Sequence, residues 1–152
     1  MRIGVISDTH GLLRPEAEAR LAGVARILHA GDIGDPDIVP RLERIAPVAA
    51  IRGNVDIDDW AAAYPERLRL ELGGCDILML HDLGTLATSP AAEGITVVIS
   101  GHSHRPEIEE RAGVLFLNPG SAGPRRFRLP VTLAILDVGG GRARAEIQHL
   151  LD

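Results

Sequence analysis

Five short apolar runs in this chain each stop at a carboxylate, an amide or an imidazole. Residues 3–7 run into Asp8-Thr9-His10, residues 25–30 into Gly31-Asp32, and residues 47–51 into Gly53-Asn54. Residues 75–80 end at His81, and residues 96–100 at Gly101-His102-Ser103-His104. Runs of this length, bounded by Gly and Pro, read as buried strands. Helical stretches opening at Pro15 and at Asp35-Pro36 separate the first three runs. The resulting βαβαβ order implies parallel strands and right-handed crossovers. Open α/β sheets bind ligands just beyond the carboxyl ends of their strands, where all these polar residues fall. In extended backbone, side chains at i and i+2 point the same way, so Asp8 and His10 are expected to converge on one point.

The second half of the chain has a different texture. Residues 67–72 alternate charged and apolar side chains, as a half-exposed strand does, and Gly73-Gly74 turns the chain into the run that ends at His81. Residues 107–111, 114–117, 131–137 and 143–149 read as further strands, several joined by short Gly-rich turns and so paired antiparallel. Residues 58–65 and 84–94 read as loops with at most a helical turn or one helix each. A half-parallel, half-antiparallel order is expected to give two sheets packed face to face with helices outside.

At 152 residues, without a linker or a repeat, the chain is expected to form one domain over residues 1–152. Its net charge of −5 speaks against a binder of long nucleic acid, though a small phosphorylated substrate remains compatible because bound cations invert the local field. All sixteen basic residues are Arg. Cys75 is the only cysteine, which excludes an intramolecular disulfide and a Cys-rich zinc site. The first apolar run is too short for a signal peptide or a membrane span, so a cytoplasmic protein with no membrane contact is expected.

The strand-end residues Asp8, His10, Asp32, Asn54, His81, His102 and His104 are all ligand types for first-row metals, and they include four of the six histidines. Seven ligands exceed the need of one ion. Two ions sharing a bridging carboxylate use them economically, and such pairs clamp a phosphoryl group in transfer.

Asp8-x-His10, Gly31-Asp32, Gly53-Asn54, His81 and Gly101-His102-x-His104, in this order, resemble the calcineurin-like metallophosphoesterase superfamily. Within it the chain is similar to the small single-domain phosphodiesterases, a likeness extended by Asn118-Pro119-Gly120-Ser121. The resemblance implies a four-layer αββα sandwich of two mixed β-sheets flanked by helices. It implies two divalent metal ions, Mn foremost, with Ni, Fe, Zn or Mg as alternatives. Asp8, His10, His104 and Asp32 would hold the first ion, and Asn54, His81 and His102 would complete the second, with Asp32 bridging. A metal-bridging hydroxide would then hydrolyse a small phosphodiester or phosphorylated metabolite, with Asn54, His81 and Asp56 as catalytic candidates. The alternative is a catalytically silent scaffold on the same fold, since a retromer coat subunit also resembles this subfamily.

Two positions depart from the pattern of relatives. Larger members carry His after the motif Asn, where it protonates the leaving group; here Val55 stands, followed by Asp56. After His81, relatives read Gly-His, whereas this chain reads Asp82-Leu83. Among the remaining polar residues, His29 is read as a packed support for the ligands and His149 as surface. Asp35 is read as a helix cap, and Asp56 as either a ligand-orienting group or a turn cap. Thr9 and Ser103 are expected to point away from the metals, and Arg125, Arg126 and Arg128 to form a solvated turn.

Overall fold

The computed structural model describes residues 1–151 of the chain. Its elements begin with β1 (Arg2–Ile6), α1 (Pro15–Leu21), β2 (Arg26–His29), α2 (Ile38–Glu43) and β3 (Val48–Ala50). There follow β4 (Arg67–Leu72), β5 (Cys75–Leu80), β6 (Val97–Ile99), β7 (Glu107–Arg111), β8 (Val114–Asn118), β9 (Thr132–Gly139) and β10 (Arg142–His149). Two five-stranded mixed sheets result, ordered β10-β9-β1-β2-β3 and β4-β5-β6-β8-β7.

The βαβαβ expectation is met: β1, β2 and β3 pair in parallel. α1 starts at Pro15, whose fixed φ suits a first turn, and buries Ala17 and Leu21 at i and i+4. α2 begins later than the sequence indicates because Asp35 Oδ1 accepts the Asp37 N–H and holds residues 35–37 in a turn. Asp35 thus closes the turn ahead of the helix and does not cap it.

Period-two alternation decides what each sheet face meets. Ile6, Ile27, Leu133 and Ile135 face outward beneath Ala17, Leu21, Ile38 and Leu42 of the two helices. Val5, Leu28, Ala134 and Leu136 face inward against Ile77, Met79, Val97, Ile99 and Leu117 of the other sheet. The outer face of the second sheet, with Leu78, Leu80 and Val98, is covered by Leu83, Leu86 and Ile95. This fourth layer is built from the single 3-10 turns Leu83–Thr85 and Ala91–Glu93, because Gly84, Pro90 and Gly94 leave no uninterrupted run for an α-helix.

Parallel pairing also fixes where the strand tips lie. β5, β6 and β8 run side by side in one direction, so His81, residues 100–104 and Asn118 emerge at one edge. Backbone bonds from Asp8 N to Gly31 O and from Ala122 N to Ser7 O bring the tips of the first sheet to the loop that follows β8. Among the described residues, no helix is long and apolar enough to cross a membrane.

Leu28 is fully buried between the sheets. Leu28→Ala is expected to cost about 2–5 kcal/mol in urea denaturation through lost transfer energy and a cavity; a loss below about 1 kcal/mol would mean that the sheets do not meet there.

Candidate metal centre

The strand-end loops are held in unusual backbone. Asp8, His10, Asp32, His102 and His104 all have positive φ, between 45° and 71°. Non-glycine residues rarely adopt this left-handed region, and when several do so together the surrounding structure must hold them. Asp8 and His10 do converge, but not as consecutive positions of an extended strand. The strand ends at Ile6, and the two side chains meet because a left-handed turn aims each of them.

A ladder of bonds supports this turn. Asp8 N, His10 N and Gly11 N donate to the carbonyls of Gly31, Asp32 and Ile33 at 2.8–3.0 Å. Two glycines allow the close approach: a Cβ on Gly53 would collide with Asp32 Oδ1, and one on Gly101 with Ser7 Oγ.

Each carboxylate is anchored through one oxygen and presents the other. Asp8 Oδ2 accepts from Ser7 Oγ at 2.7 Å and from His102 N at 3.1 Å, leaving Oδ1 buried without a hydrogen-bond partner. Asp32 Oδ1 accepts from Val55 N at 3.0 Å, leaving Oδ2 turned toward His10 and His81. The His81 ring is fixed by Nδ1, 2.8 Å from the Ala30 carbonyl, which can only accept. Nδ1 therefore carries the hydrogen, and Nε2 of the neutral ring is a lone-pair acceptor. Nε2 lies 3.1 Å from Asp32 Oδ2 and 3.8 Å from Asp8 Oδ1, with hydrogen-bond geometry to neither.

Two overlapping groups of potential ligand atoms result: Asp8, His10 and His104, and Asp8, Asp32 and His81, each within 4.8 Å. His10 Nε2 and His104 Nε2 are 3.3 Å apart, and His104 Nε2 is 3.4 Å from Asp8 Oδ1. His102 and Asn54 stand at the rim, Nδ1 to Oδ1 3.3 Å, and the His102 ring packs edge-on to His81 at 5.3 Å. Buried acceptors crowded together in this way repel one another unless a cation sits among them. The all-oxygen and imidazole donor set suits Mn, Fe, Ni or Zn.

Protonation follows the same crowding. Burial pushes the Asp8 carboxyl up, opposed by the Ser7 hydroxyl and His81. Burial acts on Asp32 in the same sense but is outweighed by His81, the Val55 N–H and His10, so its pKa falls to about 2. His81 is raised: burial lowers it, but Asp32, the Ala30 carbonyl and Asp8 together win. In the metal-free protein the site thus draws a proton onto His81. His104 is lowered to about 4 by burial, Arg126 and His10.

Residues 1–141 match the family model of the calcineurin-like phosphoesterase superfamily domain. The chain belongs to this superfamily. A probable metallophosphoesterase of Methanothermobacter thermautotrophicus is 36% identical, covering 97% of this chain and 91% of its own. Among solved structures, an archaeal phosphodiesterase superposes with a TM-score of 0.79 at 25% identity, covering 97% of this chain and 100% of that one. Vps29 of Chaetomium thermophilum gives a TM-score of 0.79 at 22% identity, covering 97% and 96% of the two chains, a likeness of fold alone.

Against the motifs of the superfamily, Asp56 requires a correction. Its two oxygens accept the backbone N–H groups of Ile33, Gly34 and Gly53, each at 2.9 Å, and the side chain is buried. With both oxygens committed it is a positioning residue that ties the loop after β2 to the loop after β3, not a catalytic group. Val55 turns its side chain to solvent and serves through its N–H. Asp82 caps the 3-10 turn through Gly84 N, while its Oδ2 lies 4.0 Å from His102 Nε2.

His29 supports the site as expected, and its partners identify the tautomer. Nδ1 accepts from Gly31 N, so Nε2–H donates to Thr9 Oγ1, which donates in turn to Ile33 O. Thr9 does face away from the site, into this relay. The sequence reading assigned no role to Asn118 or Ser121. Asn118 Nδ2 donates to Gly101 O and Ser103 Oγ, and Ser121 Oγ donates to Asp8 O. The Asn-Pro-Gly-Ser turn was the available signal, since Asn and Ser in turns bond to nearby backbone.

Complete burial holds the His29 pKa down to about 3. The unfolded chain takes up this proton near pH 6.5 and the fold does not, so the contribution to stability is full above 6.5 and falls toward pH 3. In chelator, His29→Gln is expected to flatten the loss of unfolding free energy between pH 6.5 and 4 relative to the parent; an unchanged slope would show that His29 titrates normally.

Proposed function

We propose that this metal-dependent phosphoesterase is a phosphodiesterase, a single domain over residues 1–152 that binds two divalent ions, Mn foremost, and hydrolyses a small phosphodiester or phosphorylated metabolite. The observation that carries the proposal is the set of inward acceptors Asp8 Oδ1, Asp32 Oδ2 and His81 Nε2, buried together at the strand tips, with His81 also lining an open recess. Asp8, His10 and His104 would hold one ion, and Asn54, His81 and His102 the other. Asp32 suits the shared position, because Oδ2 lies 3.7 Å from His10 Nε2 and 3.1 Å from His81 Nε2. When bound, the ions supply activation of water and neutralise charge on the phosphoryl oxygens.

The chain's own residues set the rest. The Ala30 carbonyl holds His81 with Nε2 inward, so the ring presents its lone pair without reorganising. Asn54, steadied by His102, offers an amide N–H to a phosphoryl oxygen at the rim. With Val55 after Asn54 there is no imidazole to protonate the leaving group, an aid worth roughly 10²–10⁴-fold, so aryl esters should react much faster than alkyl esters. His102 and Asp82 line both recesses, of about 340 and 210 Å³. A diester with a substituent on each side of phosphorus fills such a pair, whereas a monoester needs one. A silent scaffold is the competing reading, and the complete set of candidate ligands favours the enzyme.

Protein stripped of metal and resupplied with Mn²⁺ is expected to hydrolyse bis(4-nitrophenyl) phosphate. Asp32→Asn is expected to lower turnover on the order of 100-fold or more; full activity in that variant would remove Asp32 from the centre. Because the metal must displace a proton from His81, whose pKa lies above 6.5, apparent Mn²⁺ affinity should weaken on acidification from above pH 6.5. Affinity that stays constant down to pH 5.5 would contradict the ligand assignment.

A further inference from the structure

The larger recess runs from Asn54, His81 and His102 to a wall containing Arg52, Glu66 and Arg67. The two arginines there are not equivalent. Arg52 is committed: Nη1 donates to the Tyr64 carbonyl, and Nη2 lies 3.4 Å from Glu66. Arg67 is held only by a neutral residue, with Nη2 donating to Thr85 O at 2.7 Å and to Thr85 Oγ1 at 3.2 Å. Among the described residues no carboxylate lies within ion-pair distance of Arg67, and its Nε and Nη1 make no hydrogen bond.

Arg69, two residues along the same strand, shows the contrast. Its Nε and Nη2 donate to the two oxygens of Asp76 at 2.8 and 2.7 Å, a bidentate pair that consumes the charge. β4 therefore carries one neutralised guanidinium and one that is aimed but uncompensated. The register of β4 on β5 pairs Arg67 with Leu80, the residue before His81. The uncompensated charge thus stands beside the strand whose tip enters the candidate centre, in the recess that would take one arm of the substrate.

We infer that this recess is a subsite for a second anionic group on the substrate, a carboxylate or a phosphate carried on one alcohol arm of the diester, with Arg67 as its contact. The inference rests on the phosphodiesterase reading above. A guanidinium already held by Thr85 through Nη2 loses little side-chain freedom when it meets an oxyanion, and its unengaged Nε–H and Nη1–H remain as single charged donors to such a group. The acidic Glu66 and Asp82 nearby would disfavour a bare polyanion, which limits the ligand to one compact anionic group.

The test uses the Mn²⁺-loaded protein and 4-nitrophenyl diesters whose second arm is an alkyl chain of increasing length, ending in methyl, carboxylate or phosphonate. At the fitting length the anionic arm is expected to lower KM about tenfold against the methyl arm at equal kcat, the scale of a hydrogen bond to a charged group. The carboxylate and phosphonate series tell which oxyanion fits. Arg67→Gln should abolish the preference while leaving kcat for the methyl series unchanged, Arg67→Lys should restore part of it, and Arg69→Gln should leave it intact. Preference absent at every length, or undiminished in Arg67→Gln, overturns the subsite while leaving the phosphodiesterase reading in place. If no diester turns over, that reading falls, and calorimetric binding of the matching non-hydrolysable phosphonates, compared between parent and Arg67→Gln, decides the subsite by the same criteria.

Discussion

Electrostatic repulsion among buried acceptors governs this molecule. Asp8 Oδ1, Asp32 Oδ2 and the lone pair of His81 Nε2 are pressed together with no protein donor between them. Left alone, groups of this kind spread apart or take up protons, and His81 and Asp8 are indeed both shifted toward their protonated forms. The cluster persists because each of these three groups is tied from behind. Ser7 and His102 N hold Asp8, Val55 N holds Asp32, and the Ala30 carbonyl holds His81.

Those ties in turn depend on the two-sheet core. Strands β1, β2, β5, β6 and β8 end at one edge because three of them pair in parallel within the second sheet and two within the first. Aliphatic packing between the sheets fixes the edge, and the loops beyond it are free to adopt strained backbone. Left-handed conformations at five candidate ligands concentrate strain where the chain gains a preorganised site. Asp56, with three backbone donors on one buried carboxylate, carries much of the burden of locking two of these loops together.

The sandwich and the convergence of the candidate ligands were legible in the sequence because both are written in the simplest pattern: apolar runs with polar tips. Residues 3–6, 26–29 and 97–99 lie in strands, and the polar residues after them meet. The mechanism of that meeting was not legible. Asp8 and His10 look like alternating strand positions, and nothing in residue type announces that both are left-handed. Asp56 reads as a catalytic carboxylate because its sequence neighbours are functional; its real partners, Ile33, Gly34 and Gly53, come mostly from another loop. Asn118 and Ser121 were similarly hidden, since the carbonyls of Gly101 and Asp8 that they support are distant in the chain. The thin fourth layer follows from Gly84, Pro90 and Gly94, which mark a helix-poor segment without stating that 3-10 turns replace the helix.

The most direct test of a cation-demanding cluster is anomalous diffraction from crystals soaked in Mn²⁺, recorded at the manganese edge. Two peaks roughly 3.5–4 Å apart, one beside Asp8, His10 and His104 and one beside Asp32 and His81, are expected. A centre without anomalous density, while Mn²⁺ appears elsewhere on the same molecule, would show that the buried acceptors are satisfied by protons and that the cluster is not a metal site.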